Sequence, residues 1–115
     1  MTTIVYGIRN CDTIKKTLVW LNEHDVAHQF HDYRRDGIDA TWLALVEQHL
    51  GWEIMLNRRG TTWRALADTI KTNISKESAL ALMLEQPAII RRPLIAHNDR
   101  WLVGFNPDEL SSVLL

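Results

Sequence analysis

The apolar and polar positions of this chain change period several times, and each change marks an element. TTIVYG, residues 2–7, is β-branched and aromatic up to Gly7, the pattern of a buried first strand. From Asp12 to about Glu23 the apolar residues Ile14, Leu18 and Leu21 fall at i, i+4 and i+7, one face of a helix that should pack on a sheet. HQFHDY, residues 28–33, is the next strand. A strand, helix, strand unit of this length is almost always parallel and right-handed, so the chain opens βαβ.

The middle of the chain is helical. Asp39 is placed to cap a helix from Ala40 to about Leu50, with Ile38 and Leu43 as a hydrophobic staple, Trp42, Val46 and Leu50 on its buried side, and Gly51 at its end. NRRGTT then reads as a loop and WRALADTI as a short helix. Ser75 caps a further helix with Ala79, Leu80, Met83 and Leu84 on one face and Pro87 beyond its end. LIAH and RWLV flank Asn98-Asp99, residue types that tolerate the positive φ of a hairpin turn, so these strands should be antiparallel. The last helix has Asn106 as N-cap, Pro107 at its first position, Glu109 at the capping-box position and Phe105 stapled to Leu110. The order is βαβ, a helical block, then ββα. Periodicity alone supports an α/β or α+β domain with a four-stranded mixed sheet and a helical insertion over about 39–86.

Length and charge narrow the function. At 115 residues the chain is expected to be a single domain, 1–115. Thirteen Lys and Arg against fourteen Asp and Glu give a net charge of −1, so no overall field favours nucleic acid or an anionic membrane, and any anion site must be local. No apolar run approaches the roughly 18–20 residues of a membrane span, and no basic-then-apolar leader opens the chain, so a cytoplasmic protein is expected. The five histidines are scattered at positions 24, 28, 31, 49 and 97, with His28 and His31 on opposite faces of a strand; no metal site is expected. The five tryptophans sit on helix and strand faces, where packing is their expected use.

One cysteine, Cys11, carries the candidate chemistry. Burial statistics alone would place a lone cysteine in a core. Its neighbours Asn10 and Asp12 are poor core residues, and it stands at a strand-to-helix junction. A helix starting at about Asp12 offers unpaired N–H groups and the positive end of its dipole, which stabilise an anion by ~0.3–2 kcal/mol. Lys15 is one turn on, with Arg9 and Lys16 near in sequence, and Asp12 opposes them. The net expectation is a thiol moderately below its free pKa of ~8.5. Having no second cysteine, Cys11 needs an external thiol to complete any disulfide cycle. Of the arginine doublets, Arg34-Arg35 reads as a solvated pair, Arg58-Arg59 lies in the middle loop, and Arg92 of Arg91-Arg92 precedes Pro93, which biases it toward extended backbone.

YGIRNCDTIKK at the first strand and helix, NRRGTT in the middle, RRPLI before the hairpin and LVGFNPDEL at the end together resemble the ArsC-related family, closest to its Spx/YffB-type branch. The resemblance spans nearly the whole chain. It implies a thioredoxin-like fold, with a cis peptide at Arg92-Pro93 facing the reactive cysteine.

In arsenate-reducing members a cysteine is helped by arginines that bind the oxyanion. Arg92 matches one of these by position, whereas the middle arginine falls nearest Asn57 with Arg58 as an offset substitute, and the C-terminal one is replaced within VGFNP. DTIKK also departs from those enzymes' small-residue anion loop, and these differences set the chain apart from arsenate reduction. Spx-type regulators often carry a C-x-x-C switch, which Cys11 followed by Ile14 excludes. The resemblance therefore implies a monothiol, glutathione-dependent thiol reductase. Cys11 is its nucleophile, and Arg92, Pro93, Asn10, Arg58 and Lys15 are the candidates for binding glutathione or substrate. Glutathione is then a co-substrate, with no tightly bound cofactor, and the other partner is a small or protein thiol or disulfide. The alternative is an Spx-like protein docking on RNA polymerase without catalysis.

Overall fold

The computed structural model describes residues 2–115. In chain order its elements are strand β1 (Thr3–Gly7), helix α1 (Asp12–Glu23), strand β2 (His28–Asp32), the short helix α2 (Tyr33–Asp36), helices α3 (Ala40–Leu50), α4 (Trp52–Met55), α5 (Thr61–Arg64), α6 (Asp68–Thr72) and α7 (Lys76–Glu85), a 3-10 turn at Pro87–Ile89, strands β3 (Leu94–His97) and β4 (Arg100–Val103), and helix α8 (Pro107–Leu114). They fall into two compact units. One runs up to Gly37 and resumes at Arg92–Leu115; the other is Ile38–Arg91, which contains the expected insertion.

The first unit holds a four-stranded mixed sheet in the order β2-β1-β3-β4. β1 runs parallel to β2, with Thr3 opposite His28 and Gly7 opposite Asp32, as the αβ crossover requires. β1 and β3 are antiparallel, and β3 and β4 form the expected hairpin, with Asn98 at φ 56° in its turn. One sheet face and the apolar stripe of α1 close on each other. Val5, Ile14, Leu21, Ile95, Leu102 and Leu110 form the core, and Cys11, Leu18, Phe30 and Phe105 pack against it half-buried. Each fully buried aliphatic side chain here contributes about 1.5–3 kcal/mol relative to exposure. The hairpin and α8 return the chain to this core. Asn106 Oδ1 accepts from the Glu109 N–H at 3.2 Å, fixing the start of α8 so that Leu110 points inward.

In the second unit α3 begins where Asp39 Oδ1 accepts from the Trp42 N–H at 2.8 Å, and it stops at Gly51, whose φ of 85° other residues adopt only with strain. Its buried positions are Leu43 and Val46, with Trp42 and Leu50 half-buried at the edges of the stripe. α7 starts from a Ser75–Ser78 capping box, and α3, α4, α7 and the 3-10 turn pack together.

Three sequence expectations are corrected. Leu84 is 44% exposed, because the buried stripe of α7 is narrow and centred on Ala79 and Met83. WRALADTI is two short helices, not one: neither α5 nor α6 buries a residue, and without a tertiary face a longer helix has nothing to hold it. Tyr33 belongs to α2 and not to the second strand, because Asp32 accepts from the Arg34 and Arg35 N–H groups at 2.8 and 3.3 Å and so caps a turn there. All five tryptophans are half-buried, in keeping with packing.

Gly7 sets how closely α1 lies on β1. A Cβ at this position would collide with Ile14 Cδ1, stand 2.9 Å from Ile14 Cγ1 and lie 3.4 Å from Arg92 Cβ. Ile14 is fully buried and has no room to give. Gly7→Ala is therefore expected to destabilise the protein by about 1–3 kcal/mol, the cost of overpacking a filled core. Urea unfolding checks this; an unchanged midpoint would mean that α1 is free to shift.

Candidate functional site around Cys11

The chain leaves β1 at Gly7, crosses Ile8–Asn10 and enters α1 at Asp12, which makes Cys11 the N-cap residue, with φ −125° and ψ 128°. Its carbonyl accepts the first helical bond, from the Lys15 N–H at 3.0 Å. Its side chain is half-buried against the core. The first-turn N–H groups of Thr13 and Ile14 face the sulfur without either forming a full capping hydrogen bond to it.

The thiol responds to opposing influences. Burial pushes its pKa up. The Ile14 N–H, the Arg92 side chain, the Thr13 N–H and the Arg92 charge act the other way, and together they win, so the thiol lies below its ordinary value. The positive groups are thus the helix start and Arg92. Lys15, Arg9 and Lys16, expected from sequence to help, are exposed side chains and are not among the main influences on the thiol. Arg9 instead lies with its guanidinium carbon 5.8 Å from the Phe30 ring. Asp12, expected to oppose the thiolate, is exposed and is likewise not among the main influences.

Arg92 and Pro93 enter the site from the segment before β3. The Arg92-Pro93 peptide is cis, as the resemblance implied, and Pro93 is buried with its carbonyl accepting from the Gly104 N–H at 2.9 Å. The structure therefore brings together Cys11, Arg92 and the first turn of α1. Asn10 is exposed beside them in the turn. Lys15 lines a groove of about 370 Å3 together with Lys16, Val19, Trp20, Glu23 and Phe105. Arg58 belongs to the second unit, where its guanidinium carbon lies 5.5 Å from the Trp63 ring centroid.

Two residues escaped the sequence reading. Asp32 is buried at the end of β2. Burial raises its pKa, but the N–H groups of Arg34, Arg35 and Arg9 overcome this and hold it below the usual carboxylate value. Through Arg9 this carboxylate fixes the loop that carries Cys11. Tyr33 is buried next to it, and burial drives its phenol far above the usual range while the Arg92 charge pulls the other way. The cue for both was an aspartate followed by a polar turn, which reads as a helix cap as readily as the end of a strand. Among the described residues no group of three or more His, Cys, Asp or Glu side chains is placed to hold a metal ion, and no helix is long and apolar enough to cross a membrane.

A cysteine at the start of the helix after the first strand, with a cis-proline loop and its arginine alongside, defines a thioredoxin-like thiol protein. The ArsC family model matches residues 6–113, and the chain belongs to that family. A solved structure of a protein called YffB is 44% identical and superposes with a TM-score of 0.93, covering 98% of this chain and 99% of that one. An arsenate reductase (ArsC) related protein from Brucella melitensis is 40% identical, with a TM-score of 0.83 over 98% and 94% of the two chains. The global transcriptional regulator Spx of Streptococcus mutans is 29% identical over 107 residues, 91% of this chain and 77% of that protein.

The lowered thiol makes a directional prediction. Because ionisation is favoured in the folded protein, the alkylation rate of Cys11 should reach half its plateau at a pH below that of an unperturbed cysteine. Arg92→Gln should move that midpoint upward and Arg92→Lys restore most of it. An identical midpoint in Arg92→Gln would remove the arginine from the account.

Proposed function

We propose that this protein is a glutathione-dependent thiol oxidoreductase working through one cysteine. The observation that carries the reading is the sulfur of Cys11 at the start of α1, with its pKa lowered by the helix N–H groups and Arg92. Likeness to an arsenate reductase (ArsC) related protein, 40% identical, supports reductase chemistry.

The cycle balances with one protein thiol. The Cys11 thiolate attacks the glutathionyl sulfur of a mixed disulfide; the Cys11–glutathione S–S bond forms as the substrate S–S bond breaks. The substrate leaves as a thiolate and takes a proton from water. A second glutathione, as thiolate, then attacks the glutathionyl sulfur on Cys11, releasing glutathione disulfide and regenerating the Cys11 thiolate. Over one turnover, one glutathionylated substrate and one free glutathione become the substrate thiol and glutathione disulfide. The two electrons that reduce the substrate sulfur come from the glutathione sulfurs that end as the disulfide. Arg92 offers a planar fork for a glutathione carboxylate and stabilises each sulfur anion as it forms. Asn10, Lys15 and Pro93 border the same turn and are the candidates for orienting the tripeptide. No step requires a metal or a resident cofactor.

A second reading is favoured by the likeness to Spx: a protein that docks on RNA polymerase, for which Cys11 is dispensable. Arsenate reduction fits these residues least, since Asn57 and the VGFNP segment stand where arginines would bind the oxyanion.

Incubation with oxidised glutathione followed by intact-mass measurement is expected to add one glutathionyl group to the wild-type chain and none to Cys11→Ser, with glutathione-dependent disulfide reduction falling to background in that variant. A chain that forms no adduct, together with polymerase capture equal in wild type and Cys11→Ser, would replace the enzyme reading with the docking one.

A further inference from the structure

The second unit contains a charged cleft that the thiol cycle does not use. It has a volume of about 160 Å3 and is lined by Leu56, Asn57, Arg58, Arg59 and Arg91. Its frame is a short antiparallel bridge between Leu56 and Ile90, across which the Asn57 N–H donates to the Ile89 carbonyl at 2.9 Å and the Arg91 N–H donates to the Met55 carbonyl at 2.8 Å. Met55, Leu56, Ile89 and Ile90 are buried, so the arginine-bearing segments are pinned to core residues and not carried on free loops. Asn57 Oδ1 also accepts from the Arg59 N–H at 3.1 Å, which fixes the turn between the two arginines of this loop. The Arg58 guanidinium is steadied by the Trp63 ring.

The charge on this cleft is unbalanced. No carboxylate lines it, and among the described residues the ion pairs are Arg35–Asp36 and Lys76–Glu47, neither of which involves these arginines. Fourteen acidic residues in a chain of net charge −1 are enough to have neutralised it, yet three cations share one concave site without one.

We propose that the cleft of Asn57, Arg58, Arg59 and Arg91 binds the dianionic phosphate group of a phosphate monoester. Such a group carries about −1.5 to −2 charges and three terminal oxygens, which suit a cleft lined by three guanidinium-bearing side chains. A carboxylate supplies one charge and two oxygens and would leave part of the site uncompensated. The cleft holds one such group, whereas a nucleic-acid strand needs a basic track with repeated phosphate contacts. A phosphorylated metabolite and a phosphorylated side chain present the same chemistry.

Titration with inorganic phosphate, followed by amide resonances, is the test. Saturable shifts confined to residues 56–60 and 91 are expected, with affinity at least tenfold weaker in Arg59→Gln and in Arg91→Gln. Both replaced side chains are exposed, and retained spectral dispersion verifies that each variant is folded. Glycerol phosphate binding as tightly as a phosphoserine peptide would point to a metabolite, and a tighter peptide to a modified protein. Shifts that never saturate, or that are unchanged by both substitutions, would overturn the proposal, as would shifts centred on Cys11 and Arg92. Binding is expected to persist in Cys11→Ser, so failure here is separable from failure of the thiol cycle.

Discussion

One sulfur at the start of a helix, its pKa lowered by the groups around it, is the constraint on which the proposed chemistry of the first unit depends. Cys11 is half-buried, and burial alone would keep its thiol neutral and slow. The opposing groups come from two places far apart in sequence: the first-turn N–H groups of α1, and Arg92, delivered eighty-one positions later by the segment that leads into β3. Neither source works unless α1 lies close on β1 and β3 lies beside it. Gly7 permits the first, and the antiparallel pairing of Tyr6 with Leu94 secures the second. The buried Asp32 carboxylate, holding the Arg9 N–H, steadies the loop between. The fold is thus a device for bringing a helix start and a guanidinium to the same atom.

What the sequence disclosed and what it hid follow from how local each cause is. The strands, α1, the hairpin and α8 rest on periodicity and on caps written within a few residues, such as Asn106 with Pro107, and they are found where the pattern places them. The position of Cys11 at a helix start is local in the same way. The source of its positive surroundings is not. Lys15, Arg9 and Lys16 are near in sequence, but their flexible side chains extend into solvent or over other side chains, whereas Arg92 is brought in by sheet pairing. Sequence distance overstated the first three. Pro93 set Arg92 apart from the other arginines, but only the family resemblance placed Arg92-Pro93 beside the cysteine. Asp32 and Tyr33 stayed hidden because a cap at the end of a strand looks like the strand continuing.

Membership of the ArsC family gives the chain its fold, and its relatives include both reductase-related proteins and transcriptional regulators. Fold alone does not choose between such roles; the site does. With one cysteine and Ile14 where a C-x-x-C pair would have its second, Cys11 cannot form an internal disulfide, and the proposed exchange uses an external thiol. The arginines of the second unit line a cleft without a carboxylate, for which a phosphate group is the proposed occupant.

With a single cysteine, the ultraviolet absorbance that a thiolate gains on ionisation reports one residue without ambiguity. Titrating that absorbance in the folded wild-type chain, and again in denaturant, tests the central claim most directly. The account predicts a folded midpoint clearly below the unfolded one. Coincident midpoints, or a folded midpoint above the unfolded one, would mean that burial outweighs the helix and Arg92, and the proposed chemistry at Cys11 would lose its physical basis.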